Sequence, residues 1–513
     1  MQLVAYGAQD FYLTGNPQIT FFKSVYRRHT NFACENVEQT FSGQTSFGNK
    51  AVCNIQRSGD LITKMYLRTT LVGPDTGNDD LRWAWVARPG HALMTEIQLD
   101  IGGTQIDKHY GDWLNVWYEL ARNFAHDEGY DRMIGNTAEL TTLAQSHEPV
   151  TLWVPLQFAC CRNDGLALPI IALQYHDIKV SVTFNTVNNM VNRNAGYSIV
   201  AQDFRMESTA LFVDYVYLDN EERKRFAQAS HEYLIEELQF TGAEAIQGVN
   251  NKFRLNFNHP CKELVWVAKM AKYSNGSRFL AYNPTNSDFA LVEATKRFAL
   301  RTARYAVGGL LDLGGPSNGP LLPVVGLSAS LLAVFTAIAP MALSTTPTSD
   351  NITVVGRLLT VAELSTVVDE LFAGLVNANL TTASSGHPNY DIVVYQHHRY
   401  GVYLDGSVNP CQQALLQLNS HDRFTKREGA YFNHVQPYQH HTNTPTDGVN
   451  VYSFALKPEE HQPSGTCNMS RIDNATLSVD FNAALSGSSV YVYATNYNVL
   501  RVMSGMAGLA YSN

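Results

Sequence analysis

The sequence predicts an all-β protein in which one sandwich or barrel domain occurs twice, and three observations carry that reading. Short segments alternate apolar and polar residues with period 2, the signature of strands with one buried face. The pentapeptide Ser181-Val182-Thr183-Phe184-Asn185 returns as Ser478-Val479-Asp480-Phe481-Asn482, 297 positions on (478 less 181). Each copy is followed by an aromatic-rich alternating segment, STALFVDYVYLD at 208 to 219 and SSVYVYATNYNVL at 488 to 500, so the context repeats with the peptide.

Composition agrees with two domains and narrows the function. A chain of 513 residues exceeds one ordinary core. Only 16% of residues are charged, against about 25% in an average soluble domain, so much of the surface is expected to be covered, most simply by other subunits. A net charge of -9 excludes coating a genome, which needs clustered Lys and Arg, and no direct nucleic-acid contact is expected. The cysteines, Cys34, Cys53, Cys160, Cys161, Cys261, Cys411 and Cys467, are odd in number and scattered, the pattern of free thiols in a reducing compartment. The amino terminus shows no basic segment followed by an apolar one, so the product is expected to stay in the cytoplasm of its host.

Taken in order, residues 1–25 form an arm whose aromatic runs are broken by Gly7, Gly15, Asn16 and Pro17, and whose Phe and Tyr side chains need a surface to lie on. Such an arm points to assembly and not to catalysis. Residues 26–220 form the first β-domain. Within it Leu61, Thr63, Met65, Leu67, Thr69 and Leu71 share one face of a strand, and Ile178, Val180, Val182 and Phe184 face inward from another while Lys179, Ser181, Thr183 and Asn185 face out. Gly102-Gly103 supplies the positive φ angles of a tight hairpin. The segment GDWLNVWYELARN that follows places Trp113, Leu114, Trp117, Tyr118 and Ala121 on one helical face, read as a helix packed over a sheet end.

Residues 221–234, EERKRFAQASHEYL, form a charged, helix-favouring connector in which Arg223, Lys224 and Arg225 pair with acidic neighbours or face solvent. The second β-domain spans 235–502, interrupted from about 283 to 394 by a surface insertion rich in Ala, Leu, Gly and Ser, and a tail of 503–513 closes the chain. Two helices are predicted inside the insertion. One has capping-box spacing from Thr360 to Glu363 and an apolar stripe of Leu364, Val367, Val368, Leu371 and Leu375; the other aligns Arg297, Arg301 and Arg304. The apolar run Leu321 to Leu343 is broken by Pro323, Gly326 and Pro340 and is read as a buried layer and not a membrane span.

Catalytic signatures are missing, and no catalytic residue, cofactor site or metal centre is assigned. His231-Glu232 lacks a second histidine one helical turn on, and Gly326-Leu327-Ser328-Ala329-Ser330 lacks the closing glycine of a nucleophile elbow. The pairs His397-His398 and His440-His441, with His434 and His461, are the best metal candidates, but adjacent strand residues point to opposite faces, so loop or interface histidines are expected. Glu459-Glu460 beside His461 has no second carboxylate that sequence can place opposite it. Glycosylation sequons fall at Asn275, Asn351, Asn379, Asn468 and Asn474; Asn351 and Asn379 lie in the insertion, and acceptor use is not expected outside the secretory route.

Six collinear segments carry a family resemblance: QLVAYGAQDFYLTGNPQITFFKSVYRRHTNF at 2 to 32, IGGTQIDKHYGDWLNVWYEL at 101 to 120, CRNDGLALPIIALQYHDIKV at 161 to 180, YFNHVQPYQHHTN at 431 to 443, YSFALKPEEHQPSGTCNMSRIDNATLSV at 452 to 479 and NYNVLRVMSGMAGLAYS at 496 to 512. They resemble the major capsid proteins of nucleocytoplasmic large DNA viruses. The resemblance implies two tandem eight-stranded jelly rolls with helical insertions in loops, and a homotrimer whose six similar lobes give a nearly hexagonal capsomer that tiles an icosahedral shell. It further implies a virion protein assembled in the host cytoplasm, with neighbouring capsomers and minor capsid proteins as partners, and an arm on the inner side of the shell, within reach of an internal membrane. None of these six segments falls in the insertion, whose role is assigned by position alone. The competing readings on the same architecture are a carbohydrate-binding protein or cupin-like enzyme, and a scaffold paralogue that never enters the virion.

Overall fold

The computed structural model describes residues 6–78, 81–141, 144–193, 198–271, 279–280, 282, 409–482, 485 and 487–511. Eight principal strands build the first half: β1 Phe32–Thr40, β2 Lys50–Asn54, β3 Leu61–Val72, β4 Met94–Ile101, β5 Thr104–Tyr110, β6 Val150–Pro155, β7 Ile178–Phe184 and β8 Arg205–Leu218. They pair antiparallel into two sheets, β1-β8-β3-β6 and β2-β7-β4-β5. Leu67, Leu152 and Val213 of one sheet share a single core with Ile97, Val180 and Val182 of the other.

The second half repeats this plan. Its principal strands are β9 His231–Ala245, β10 Asn250–Leu255, β11 Pro260–Lys269, β12 Cys411–Leu418, β13 Arg427–Glu428, β14 Val449–Ser453, β15 Ala475–Phe481 and β16 Ser489–Met503, with β17 Met506–Leu509 appended to β16 and the two-residue strands His421–Asp422 and Cys467–Asn468 on β12 and β11. The sheets run β9-β16-β11-β14 and β10-β15-β12, with β13 on the edge of β12. Each of the eight principal strands of the first half therefore has a counterpart eight labels on, in the same place of the corresponding sheet. This is a double jelly roll. The pentapeptide echo falls on counterpart strands, β7 and β15, and Ser181 to Phe184 shows the same sequence of buried and half-buried side chains as Ser478 to Phe481.

Local chemistry accounts for the turns and for two departures from simple alternation. Gly102 and Gly103, at φ +60° and +83°, join β4 to β5 in the tight turn that their sequence requires. Ser181 is buried although alternation points it outward: it is short, and its register neighbours Val52 and Gln98 stand on either side of it. In β3, Ile62 enters the core where Thr63 was expected, because the register between β3 and β8 shifts between Val213 and Tyr215. Leu61 is then free to pack, with Val216 and Leu218, against Phe226 of the connector.

The connector is shorter than expected. Its helix, Asn220–Gln228, is capped by Asp219, which accepts a hydrogen bond from the Glu222 amide, and Arg223 pairs with the buried Asp60 at 3.0 Å. Residues 231 to 234 already belong to β9, where they pair in register with Val502 to Val499 of β16. The expected tail also gains structure: Met506–Leu509 folds back as β17, and the Tyr175 amide of the first half donates to the Gly505 carbonyl at 3.0 Å. The predicted insertion, its two helices, the Leu321 to Leu343 run, His397-His398, Asn275, Asn351 and Asn379 lie outside the described residues. The stretch between Tyr282 and Asn409 occupies the β11–β12 connection.

Candidate functional site

The residues with the most chemistry gather where the two jelly rolls meet. Helix α1, Gly111–Ala121, belongs to the β5–β6 connection of the first jelly roll, and most of its side chains are buried. The expected stripe is split, since Trp113, Trp117 and Ala121 share one face while Leu114 and Tyr118 turn to the first jelly roll, and the partner of that face is not a sheet end. Trp113, Val116, Trp117 and Leu120 pack on the outer face of the second jelly roll, against Val265, Val267, Val449, Val451 and Tyr493, while Leu114 enters the first core. This sheet is consequently buried on both faces, which explains why β11 reads as an almost unbroken apolar run.

Polar contacts fix the wedge at both ends. Lys269 of β11 donates to both carboxylate oxygens of Asp112 at 2.8 Å, and the Tyr282 hydroxyl donates to the same carboxylate at 3.1 Å. Further along the helix, the buried Glu119 accepts from Arg88 at 2.8 Å through one oxygen and from the Thr446 amide and hydroxyl at 3.0 and 2.6 Å through the other. A carboxylate shared in this way links the two halves through charge-assisted hydrogen bonds. Asp107 adds a third link by accepting from the Leu238 amide at 3.1 Å.

Beside the wedge lies a buried charge network. Glu236 of β9 receives Lys262 at 2.7 Å and Arg162 of the first jelly roll at 2.8 Å, and His461 stands 3.9 Å away. His441 is held between Glu263 and Glu459, each 2.9 Å from one ring nitrogen. Burial works against the charge on His441, but the two carboxylates outweigh it and raise the pKa to about 9. Burial likewise pushes the Glu263 carboxyl up, and the neighbouring His441 charge more than reverses this, leaving it lowered. Lys262 goes the other way: burial dominates over Glu236 and lowers it. A cleft of about 190 Å³ opens here between Arg162, Asn163 and Leu166 on one side and Glu236, Glu459 and His461 on the other.

The histidine candidates thus separate. His440 faces the Leu456 carbonyl at 3.0 Å, His441 faces its carboxylates and His434 lies 3.8 Å from Asp447. Among the described residues no group of three or more His, Cys, Asp or Glu side chains is arranged to hold a metal ion. Sequence reasoning found no carboxylate opposite Glu459; the structure supplies Glu263, across His441. No local signal announces it, because Glu263 is far away in sequence, although a Lys-Glu pair inside the apolar run of β11 is an anomaly that points to a buried partner. Of the sequons described, Asn468 caps the Met469–Arg471 turn by accepting from the Ser470 amide, and Asn474 is exposed.

Two jelly rolls of one strand order, wedged together by an internal helix and held by paired charges, define a structural protein of the double jelly-roll class. The family model described as large eukaryotic DNA virus major capsid protein matches residues 222–508, and the model of the major capsid protein N-terminus matches residues 20–219. The chain belongs to the major capsid proteins of large eukaryotic DNA viruses. It is 43% identical over 554 residues to the major capsid protein of Phaeocystis pouchetii virus and 40% identical over 589 residues to capsid protein 1 of Acanthamoeba polyphaga mimivirus, covering 100% of this chain and 99% of each relative. Its fold is similar to a chain in the quasi-atomic model of the PBCV-1 virus capsid, with a TM-score of 0.64, 32% identity and coverage of 96% of this chain and 100% of that one. The Faustovirus major capsid protein shares the fold at a TM-score of 0.62 and 10% identity, over 97% of this chain and 94% of that one. These relatives are structural capsid proteins and not enzymes.

Proposed function

We propose that three copies of this chain form a capsomer with six similar lobes, which tiles the icosahedral shell of a large DNA virus assembled in the host cytoplasm. The single observation that carries this reading is the matching strand order of the two jelly rolls. A threefold object built from three chains has only threefold symmetry, but two like domains per chain give it a nearly sixfold outline and six similar edges for its neighbours. The wedge of α1 supports the reading, since it fixes the two lobes of each chain relative to one another. A closed homotrimer is also an economical cover for a surface poor in charge.

In this reading the exposed arm is the inward contact, reaching minor capsid proteins or an internal membrane. Tyr6, Phe11, Tyr12, Phe21, Phe22 and Tyr26 are all largely exposed in the single chain, and apolar rings at that density need a partner. The insertion in the β11–β12 connection is assigned to the outer relief of the capsomer. Electron microscopy of the purified chain tests the proposal: uniform particles with threefold symmetry and six lobes are expected, and separate two-lobed particles would contradict it.

A further inference from the structure

We propose that Cys261 and Cys467 are a built oxidation site, closing into a disulfide when the chain leaves the reducing interior of the cell. The two residues are direct partners in an antiparallel pair, Cys261 opening β11 and Cys467 lying in the two-residue strand that precedes β15. Direct partners in such a pair have Cα atoms about 4.5–5.5 Å apart, within the roughly 4.4–6.8 Å that a disulfide spans. Both side chains also turn to the same side: Cys261 is part of the second core and Cys467 packs against it. No other cysteines face each other across strands; Cys160 and Cys161 bring their sulfurs to 3.9 Å, but as consecutive residues of one helical turn.

Exposure sets the order of events. Cys467 is half-buried and reachable, whereas Cys261 is wholly buried and its thiol donates to the Glu263 carbonyl at 3.1 Å. With oxidised glutathione as the oxidant, the Cys467 thiolate attacks one of its sulfurs, giving a mixed disulfide and releasing one glutathione thiolate. The Cys261 thiol then attacks the Cys467 sulfur and expels the second glutathione, whose sulfur takes up the Cys261 proton as it leaves. Two protein thiols are oxidised and one glutathione disulfide is reduced to two thiols. Burial raises the Cys467 thiol, partly opposed by the charge of Arg423, and raises Cys261 further, so both steps are slow at neutral pH. The bond would tie together the strands on either side of the whole stretch between Tyr282 and Asn409. A bond there resists spreading of the second jelly roll without restraining the connection itself.

Passage from a reducing to an oxidising environment rests on the capsid reading, but the chemistry is tested on the soluble full-length chain. That chain is incubated with excess oxidised glutathione, alkylated, digested without reduction and mapped by mass spectrometry. One cross-linked peptide pair holding Cys261 and Cys467 is expected, lighter by two hydrogens than its free parts, with no other cysteine bridged: the exposed Cys34 carries a glutathione adduct, and the buried cysteines are alkylated once the chain is denatured. The Cys261→Ser variant should stop at a glutathione adduct on Cys467, and Cys467→Ser should leave Cys261 unmodified until the chain is denatured. Should either variant fail to fold, the wild-type map decides alone. Seven alkylated cysteines after prolonged oxidation, or a bridge between another pair, overturns the proposal and leaves the capsomer untouched.

Discussion

Nε2 of His441 and a carboxylate oxygen of Glu263 lie 2.9 Å apart with neither side chain exposed. The pKa of this histidine rises from 6.5 to about 9 on folding, so its contribution is fully present below the unfolded value and is lost as pH rises from 6.5 through 9. The loss should reach roughly 3 kcal/mol. Urea midpoints measured from pH 6.5 to 9.5 should fall, and His441→Gln should be destabilised at pH 6.5 but flat across that range. An equal slope in the variant would place the alkaline sensitivity elsewhere.

His91 has the opposite sign. It is wholly buried, faces the Tyr130 hydroxyl at 2.8 Å and stands beside Arg88, and burial first and the Arg88 charge second lower its pKa to about 3. A depressed folded pKa means stability that is present above about 6.5 and lost as pH falls toward 3. Midpoints should drop by an amount worth roughly 2–3 kcal/mol between pH 6.5 and 4.5, and His91→Gln should remove most of that drop. Full retention of the drop in the variant would assign it to other groups.

How much of this was legible differs by the range of the interaction. The inward face of β7, that of β3 from Met65 on, the glycine hairpin and the Trp113–Trp117 pair of α1 follow from neighbours within a few residues, and the sequence shows them. What covers Trp113 and Trp117 does not follow, because Val265 and Tyr493 reach them only through the fold. The slip at Ile62 comes from an extra residue in β3, where Thr63 and Lys64 together stand opposite the single Asp214 of β8, and no glycine or proline marks it in the sequence. Glu263 and His441 were visible separately as an odd charge in an apolar run and one half of a histidine pair; their union is a long-range fact.

The wedge can be weakened by one side chain. Trp117→Ala removes a buried indole from the face between the jelly rolls and should cost about 3–5 kcal/mol. Calorimetry should then show the single unfolding transition split or broadened as the two halves lose their coupling. A shift that leaves one sharp transition would mean that the polar links of Asp112 and Glu119 hold the halves together without the indole.

The arm should distinguish free from assembled protein. Lys23, Arg27 and Arg28 are exposed in the single chain, next to exposed Phe21, Phe22 and Tyr26. Trypsin should cleave there within minutes in solution and be excluded in particles. Equal cleavage in both states would remove the arm from the assembly contacts.

Native mass spectrometry of the purified chain at micromolar concentration tests the central claim most directly. The account predicts one dominant species at three times the 57.0 kDa chain mass, persisting on dilution. A stable monomer of 57.0 kDa under the same conditions would contradict it.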